Sequence, residues 1–282
     1  MTVVQRLAAF TTDPAGGNPA GVVISSRHPA EDEMQRIATE VGYSETAFLA
    51  AAVPEQARSY RVRYFSPLME VPFCGHATIA AGVALAERDG PAVIRLLTNS
   101  GPVPVDVRYD ESGHLMATLT SPPPAVEPVD DHLLGEALAA LNWSPSDLDP
   151  RFPPARAWAG AAHLMLVARD RRRLAELQYD FESLRRIMQG AELVTLHLAW
   201  QEAPLRYHAR DPFPVGGVVE DPATGAAAAA FGAYLRHIRI VTPPCRIIIT
   251  QGEDMGRPST LLVDLKPGQK SVDVSGNAVP IR

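Results

Sequence analysis

Glu45 stands in the run Y-S-E-T-A-F-L, which otherwise reads as a strand that will be buried. A carboxylate taken out of water is costly unless it is paired or used, so Glu45 is a candidate acid/base group; an edge-strand glutamate facing water is the competing reading. Two further stretches have the makings of an anion site, P-F-C-G-H-A-T-I-A-A from Pro72 and D-P-A-T-G-A-A-A-A from Asp221. Each passes from proline through glycine into a helix of small residues. A helix start offers backbone N–H groups and the positive end of its dipole to a carboxylate or phosphate, and Gly75 and Gly225 let a ligand approach the backbone closely. The same small residues would equally let two buried helices pack tightly. His76 falls in a first helical turn, where the imidazole would be held neutral; a packed core or surface histidine is the competing reading. Asp221 by itself reads as a turn or cap residue. Cys74 has the position of a thiolate nucleophile or racemase base.

Several other chemistries are not expected. The eight histidines are scattered and no H-x-x-x-H, H-E-x-x-H or C-x-x-C spacing occurs, so no metal centre is implied. The stretch G-G-N-P-A-G contains a proline and precedes a strand, unlike a dinucleotide fingerprint, and no G-x-x-x-x-G-K-[ST] is present. A net charge of −6 argues against nucleic acid or an anionic membrane as a partner. Two cysteines, no export-signal pattern and no apolar run of spanning length fit a soluble protein of a reducing cytosol.

The elements that must carry these residues follow from periodicity. Residues 3–10 and 20–25 are β-prone and separated by T-T-D-P-A-G-G-N-P; from Pro29 to Val41 the steps Met34, Ile37, Ala38 and Val41 describe an amphipathic helix that Gly42 stops. Strands follow over 44–51 and 59–65, then the small-residue helix after Gly75, then strands near 92–97 and 103–109. The Pro-rich S-P-P-P-A-V-E-P, 121–128, reads as a stiff linker. A similar programme then restarts: a strand at H-L-M-L-V-A, a helix from about Leu174 to Met188, a strand at L-V-T-L-H-L-A-W, and the second corner. The two corners superimpose without a gap from 71 to 85 on 221 to 235, placing Pro72 on Pro222, Gly75 on Gly225 and Leu85 on Leu235. Two equivalent halves are therefore expected, 1–120 and 121–282, with a tail that can return to the first. Two such corners facing one another would hold an anion from both sides.

The segments A-F-T-T-D-P-A-G-G-N-P-A-G-V-V, Y-S-E-T-A-F-L, R-Y-F-S-P-L-M-E-V-P-F-C-G-H-A-T-I-A-A, V-V-E-D-P-A-T-G-A-A and Q-G-E-D-M-G-R-P-S together resemble the PhzF-like proteins of phenazine biosynthesis, in the same order and over nearly the whole chain. The resemblance implies the diaminopimelate-epimerase-like α+β fold, with two pseudo-symmetric halves that each wrap a barrel-like sheet around a central helix, and a homodimer. It implies an isomerase that uses no cofactor, similar to the enzyme that isomerises trans-2,3-dihydro-3-hydroxyanthranilate, in which a glutamate takes a ring proton and returns it to another carbon. By position that glutamate matches Glu45, and the family's histidine and aspartate match His76 and Asp221. Backbone groups at Gly75, Gly225 and Ala226 are implied to bind the substrate carboxylate, and Asn18 to line the pocket. The chain departs from the family at position 226, where T-G-A-A replaces T-G-S-A and a hydroxyl is lost.

Two other functions compete. A cysteine-type amino-acid racemase would depend on Cys74, but needs a second thiol, and the matching corner position is Thr224. A non-catalytic module that binds small acids is favoured by the missing hydroxyl at Ala226.

Overall fold

The computed structural model describes residues 2–52 and 58–281 and shows a mixed α+β fold in two units, residues 1–120 with 275–282 and residues 121–274. The first unit runs β1 (Gln5–Ala9), β2 (Asn18–Ser25), α1 (Glu31–Val41), β3 (Glu45–Ala51), β4 (Ser59–Phe65), β5 (Glu70–Val71), α2 (Gly75–Asp89), β6 (Val93–Thr98), β7 (Gly101–Tyr109) and β8 (Leu115–Thr120). The second runs β9 (Ala125–Pro128), α3 (Asp131–Ala140), β10 (Ala155–Trp158), β11 (Ala162–Val167), α4 (Arg171–Ala175), α5 (Phe181–Gly190), β12 (Thr195–Ala203), β13 (Arg206–Pro212), β14 (Glu220–Asp221), α6 (Gly225–His237), β15 (Cys245–Gln251) and β16 (Ser259–Leu265). Last comes β17 (Asp273–Pro280), whose residues from Ser275 onward belong to the first unit.

In the first unit the pairings β1–β2–β3–β4–β6–β7–β8–β17 return to β1 and close an eight-stranded barrel. The parallel pair β2–β3 requires a crossover, which α1 supplies. Met34, Ile37 and Ala38 of α1 pack with Val23, Phe48 and Phe65, and Gly42 ends the helix at φ 71, as the periodicity predicts. The helix starts at Glu31 rather than Pro29. α2 packs on β1, β2, β3, β7 and β8 and is buried from His76 to Ala86. A helix with strands on every side must be narrow, which explains its alanines and glycine. A Cβ on Gly82 would lie 2.8 Å from a methyl of Val105.

The second unit repeats this order. Strands β2, β3, β4, β6 and β7 pair parallel, antiparallel, parallel and antiparallel, and β11, β12, β13, β15 and β16 do the same. Here α6, buried from Ala227 to Leu235, packs on β9, β10, β11, β12 and β16, and a Cβ on Gly232 would lie 2.6 Å from a methyl of Val263. One ion pair is duplicated as well. Arg63 forks onto Glu70 at 2.7 and 2.6 Å, and Arg210 onto Glu220 at 3.0 and 2.5 Å, bracing β5 and β14 against the strands before them.

Two expectations are corrected. The stretch 121–128 is not a linker throughout, because its proline-free A-V-E can donate to a ladder and Ala125–Pro128 pairs antiparallel with β10. The helix expected from Leu174 to Met188 is two helices: Asp180 accepts the Ser183 N–H and so caps a new start after α4 has ended. Together with α3, α5 covers one face of the strands through Leu138, Leu141, Leu184 and Met188. Among the described residues no helix is long and apolar enough to cross a membrane.

Strands β11 to β13 also bury a polar chain that periodicity does not reveal. His163 Nδ1 lies 2.8 Å from Thr195 Oγ1, Thr195 donates to Asp211 Oδ2 at 3.3 Å, and His197 Nδ1 lies 2.7 Å from Asp211 Oδ1. All four residues are buried. A carboxylate only accepts, so the Thr195 hydroxyl proton points to Asp211 and its oxygen receives the Nδ1–H of His163.

Two outcomes follow for stability. Gly82→Leu and Gly232→Leu should each lower urea stability by about 1–3 kcal/mol or more through overpacking. Gly135→Ala, in a helical position where an added Cβ meets nothing within 4 Å, should be neutral or stabilising. Burial lowers His163 from 6.5 to about 4, against the opposing charge of Asp211. Below pH 6.5 the unfolded chain therefore binds a proton that the native state refuses until about pH 4, so stability falls as pH drops through that window. The loss amounts to roughly 3 kcal/mol. His163→Gln should flatten the curve between pH 7 and 4.5 in chemical denaturation.

Candidate active site

The first unit assembles a carboxylate, an imidazole, a hydroxyl and a thiol where β3 begins and α2 starts. With α1 stopped at Gly42, the chain turns into β3 and places Glu45 opposite Ala20 of β2. The Glu45 side chain is 15% exposed, and its Oε2 lies 3.4 Å from Nε2 of His76, which is 6% exposed. The same Nε2 is 3.3 Å from Ser44 Oγ, while Nδ1 is 3.3 Å from Cys74 Sγ. Desolvation lowers the pKa of His76, opposed by the Glu45 charge and by a hydrogen bond to the Pro19 backbone. The imidazole is thus kept neutral beside the carboxyl. Cys74 precedes α2 in extended conformation, and no side chain caps the helix, so Gly75 and His76 present the start of a helix dipole. Asn18 is buried at the first position of β2, opposite Ala9.

Glu45, Cys74 and His76 have donor atoms within 4.8 Å of one another, a three-member set of types that bind zinc. The spacing of His76 and Glu45 in the chain shows no such motif, because strand and helix supply them separately.

The second unit holds Asp221, Gly225 and Ala226. Asp221 is the last residue of β14, opposite Asp211, and its Oδ2 accepts from Thr224 Oγ1 at 2.5 Å. Thr224 precedes α6 as Cys74 precedes α2, again with no side-chain cap, leaving Gly225 and Ala226 at the helix start. Gln251 bonds both ends of this turn, to the Asp221 carbonyl at 2.8 Å and to the Thr224 N–H at 3.1 Å.

The halves match in frame but differ in chemistry. Phe48 faces Arg63 and Leu198 faces Arg210, so Glu45, three residues before Phe48, corresponds to Thr195, and Asp221 corresponds to Val71. Ser44, Thr224 and Gln251 escape sequence reasoning. Thr224 carried a signal, an i, i+3 spacing from Asp221 that suits a side-chain-bonded turn; Ser44 and Gln251 fall inside the family-like segments Y-S-E-T-A-F-L and Q-G-E-D-M-G-R-P-S, which gave them a place but no role.

The family model described as "Phenazine biosynthesis-like protein" matches residues 7–282. The chain is 30% identical over 289 residues to an uncharacterized isomerase of Clostridium acetobutylicum, covering 99% of this chain and 95% of the relative. It is 30% identical over 272 residues to the trans-2,3-dihydro-3-hydroxyanthranilate isomerase of Pseudomonas aeruginosa, covering 95% and 93%. The crystal structure of the Bacillus anthracis phenazine biosynthesis protein of the PhzF family superimposes with a TM-score of 0.87 at 25% identity, over 99% of this chain and 96% of that one. With its two barrel-and-helix units in the diaminopimelate-epimerase-like fold, this chain belongs to the phenazine biosynthesis-like family and is a PhzF-type isomerase.

Proposed function

We propose that this isomerase works without a cofactor, moving a proton on a small carboxylate-bearing substrate, with Glu45 as the group that removes and returns it. The observation that carries the reading is Glu45 Oε2 held 3.4 Å from a buried imidazole whose own protonation is disfavoured. A neutral partner orients the carboxyl without locking it in an ion pair, so the carboxyl can hold the proton in one half of the reaction and lack it in the other. Its place at the start of β3, partly open, lets it reach a ligand while Thr46 to Ala50 behind it are buried.

The uncapped starts of α2 and α6 each offer backbone donors of the kind that bind a carboxylate, at Gly75 in the first unit and at Gly225 and Ala226 in the second. His76 and Asp221 are assigned to orient substrate or carry protons, and Asn18 to contact it. The P. aeruginosa relative acts on trans-2,3-dihydro-3-hydroxyanthranilate, and an acid of that kind is the first to try. Ala226 keeps its N–H but has no hydroxyl, which favours a different acid or a slower reaction. A cytosolic homodimer that binds neither nucleic acid nor membrane is the accompanying proposal.

A thiol racemase is the rival reading, favoured by the 3.3 Å approach of Cys74 Sγ to His76 Nδ1. Against it, the corresponding cap residue in the second unit is Thr224, and the other cysteine, Cys245, lies on β15.

Glu45→Gln keeps volume and reach but cannot take a proton. Deuterium uptake from solvent into a bound acid should fall by about 10²–10⁴, while the acid's dissociation constant changes little, and Cys74→Ser should retain most of the rate. Unchanged uptake in Glu45→Gln with a dead Cys74→Ser hands the role to the thiol. Glu45, Cys74 and His76 should also be unmetallated in the working enzyme. Protein purified without chelators should carry zinc, iron and manganese far below one per chain by elemental analysis, and stoichiometric metal lost in His76→Ala would overturn the metal-free reading.

A further inference from the structure

Gln251 is fully buried at the end of β15, although glutamine in a strand ordinarily faces water. Its backbone is held on both sides, in register with Ala209 of β13 and Ser259 of β16. Its side chain spends every group on one turn. Nε2 donates to the Asp221 carbonyl at 2.8 Å and to Thr224 Oγ1 at 3.1 Å, and Oε1 accepts the Thr224 N–H at 3.1 Å. Exchanging the amide's oxygen and nitrogen would set donor against donor and acceptor against acceptor, so the orientation is fixed by its partners. Gly252, next in the chain at φ +74, brings the backbone so close to the corner that a Cβ there would meet the Pro222 carbonyl at 2.7 Å.

We propose that Gln251 is a positioning residue for Asp221. By donating to Thr224 Oγ1 it turns the Thr224 hydroxyl proton onto Asp221 Oδ2, and by gripping the Asp221 carbonyl and the Thr224 N–H it holds the turn that presents this carboxylate at the start of α6. The 2.5 Å Thr224–Asp221 contact is of charge-assisted length, as expected of a hydroxyl aimed at an ionised carboxylate. Among the described residues the first corner is tied differently, by the Ser100 hydroxyl just after β6, which reaches the Pro72 carbonyl at 3.4 Å. Val62 of β4 corresponds to Ala209 and faces Thr98 by continuation of the β4–β6 register, and the Thr98 hydroxyl bonds the Gly101 carbonyl instead. Among the described residues, the tie that runs through an amide and a hydroxyl to a carboxylate is found at the second corner. Its value to the reaction rests on the proposed function, but its existence does not.

The experiment is ¹³C-carboxyl NMR on the full chain with labelled aspartate, the Asp221 signal being assigned by its loss in Asp221→Asn. Thr224→Val removes the hydroxyl at constant shape, and Gln251→Met removes the amide at nearly constant length. Both should move the Asp221 titration to higher pH, because a hydrogen bond to the ionised form is lost or weakened. Combined, they should shift it by less than the sum of the two, since they act through one hydroxyl. Gln251→Met should also speed solvent exchange of the Thr224 amide, while Gln251→Glu, which restores only the acceptor, should recover slow exchange but not the titration. An unmoved Asp221 titration in Thr224→Val removes the contact, and full additivity removes its dependence on Gln251; either overturns the proposal, and Thr224→Val suffices for the first should Gln251→Met not fold. Because no turnover is needed, failure here is distinct from failure of the Glu45 exchange assay.

Discussion

A helix walled in by strands has little room for side chains and no water at its flanks. In α2 and α6 this confinement selects alanine and glycine, since even one added Cβ at Gly82 or Gly232 would strike a valine methyl at under 3 Å. Neither Cys74 nor Thr224, the residues before these helices, makes a side-chain cap. The dipole and the first N–H groups are then directed at whatever approaches the corner, and an approaching anion is the natural complement. A helix start of the kind that attracts an anion therefore occurs in each unit.

What is duplicated and what is not separates framework from chemistry. The Arg63–Glu70 and Arg210–Glu220 forks occupy corresponding places, and both halves need them, because β5 and β14 are two residues long and have little ladder of their own. Burial raises Glu220 even as Arg210 opposes it, so this fork works in a dry setting. The groups that can move protons are single. Glu45 faces a thiol and an imidazole in one half, whereas its counterpart Thr195 is consumed by His163 and Asp211 in the other. The framework is thus symmetric while the titratable side chains set on it are not.

The sequence made the framework legible for a physical reason. A confined helix restricts composition at each of its positions, so the alignment of 71–85 with 221–235 survives even though hydrophobic patterns around it drift. Glu45 was legible because a charge in an apolar run violates the usual partition. The break between α4 and α5 was not, because one aspartate cap outweighs an otherwise continuous amphipathic pattern. Nor was β9, hidden by the prolines beside it. His163, His197 and Asp211 are spread over three strands and meet only through sheet register, which is set by pairing partners far along the chain.

Gln251 shows why supporting residues are harder to find than the groups they support. Its side chain is neutral, lies 30 residues from Asp221, and breaks no compositional rule strongly. The segment Q-G-E-D-M-G-R-P-S gives it a place in the family pattern, and its bonds, all made to one turn in a buried place, give it a role. A carboxylate at a helix start is drawn toward the helix's own N–H groups, since they would cap it well. Thr224 and Gln251 together give Asp221 another hydroxyl partner and hold the carbonyl behind it, so the aspartate precedes the helix without serving as its cap. The start of α6 is thereby left without a side-chain cap from Thr224, whose hydroxyl is turned to the acid instead.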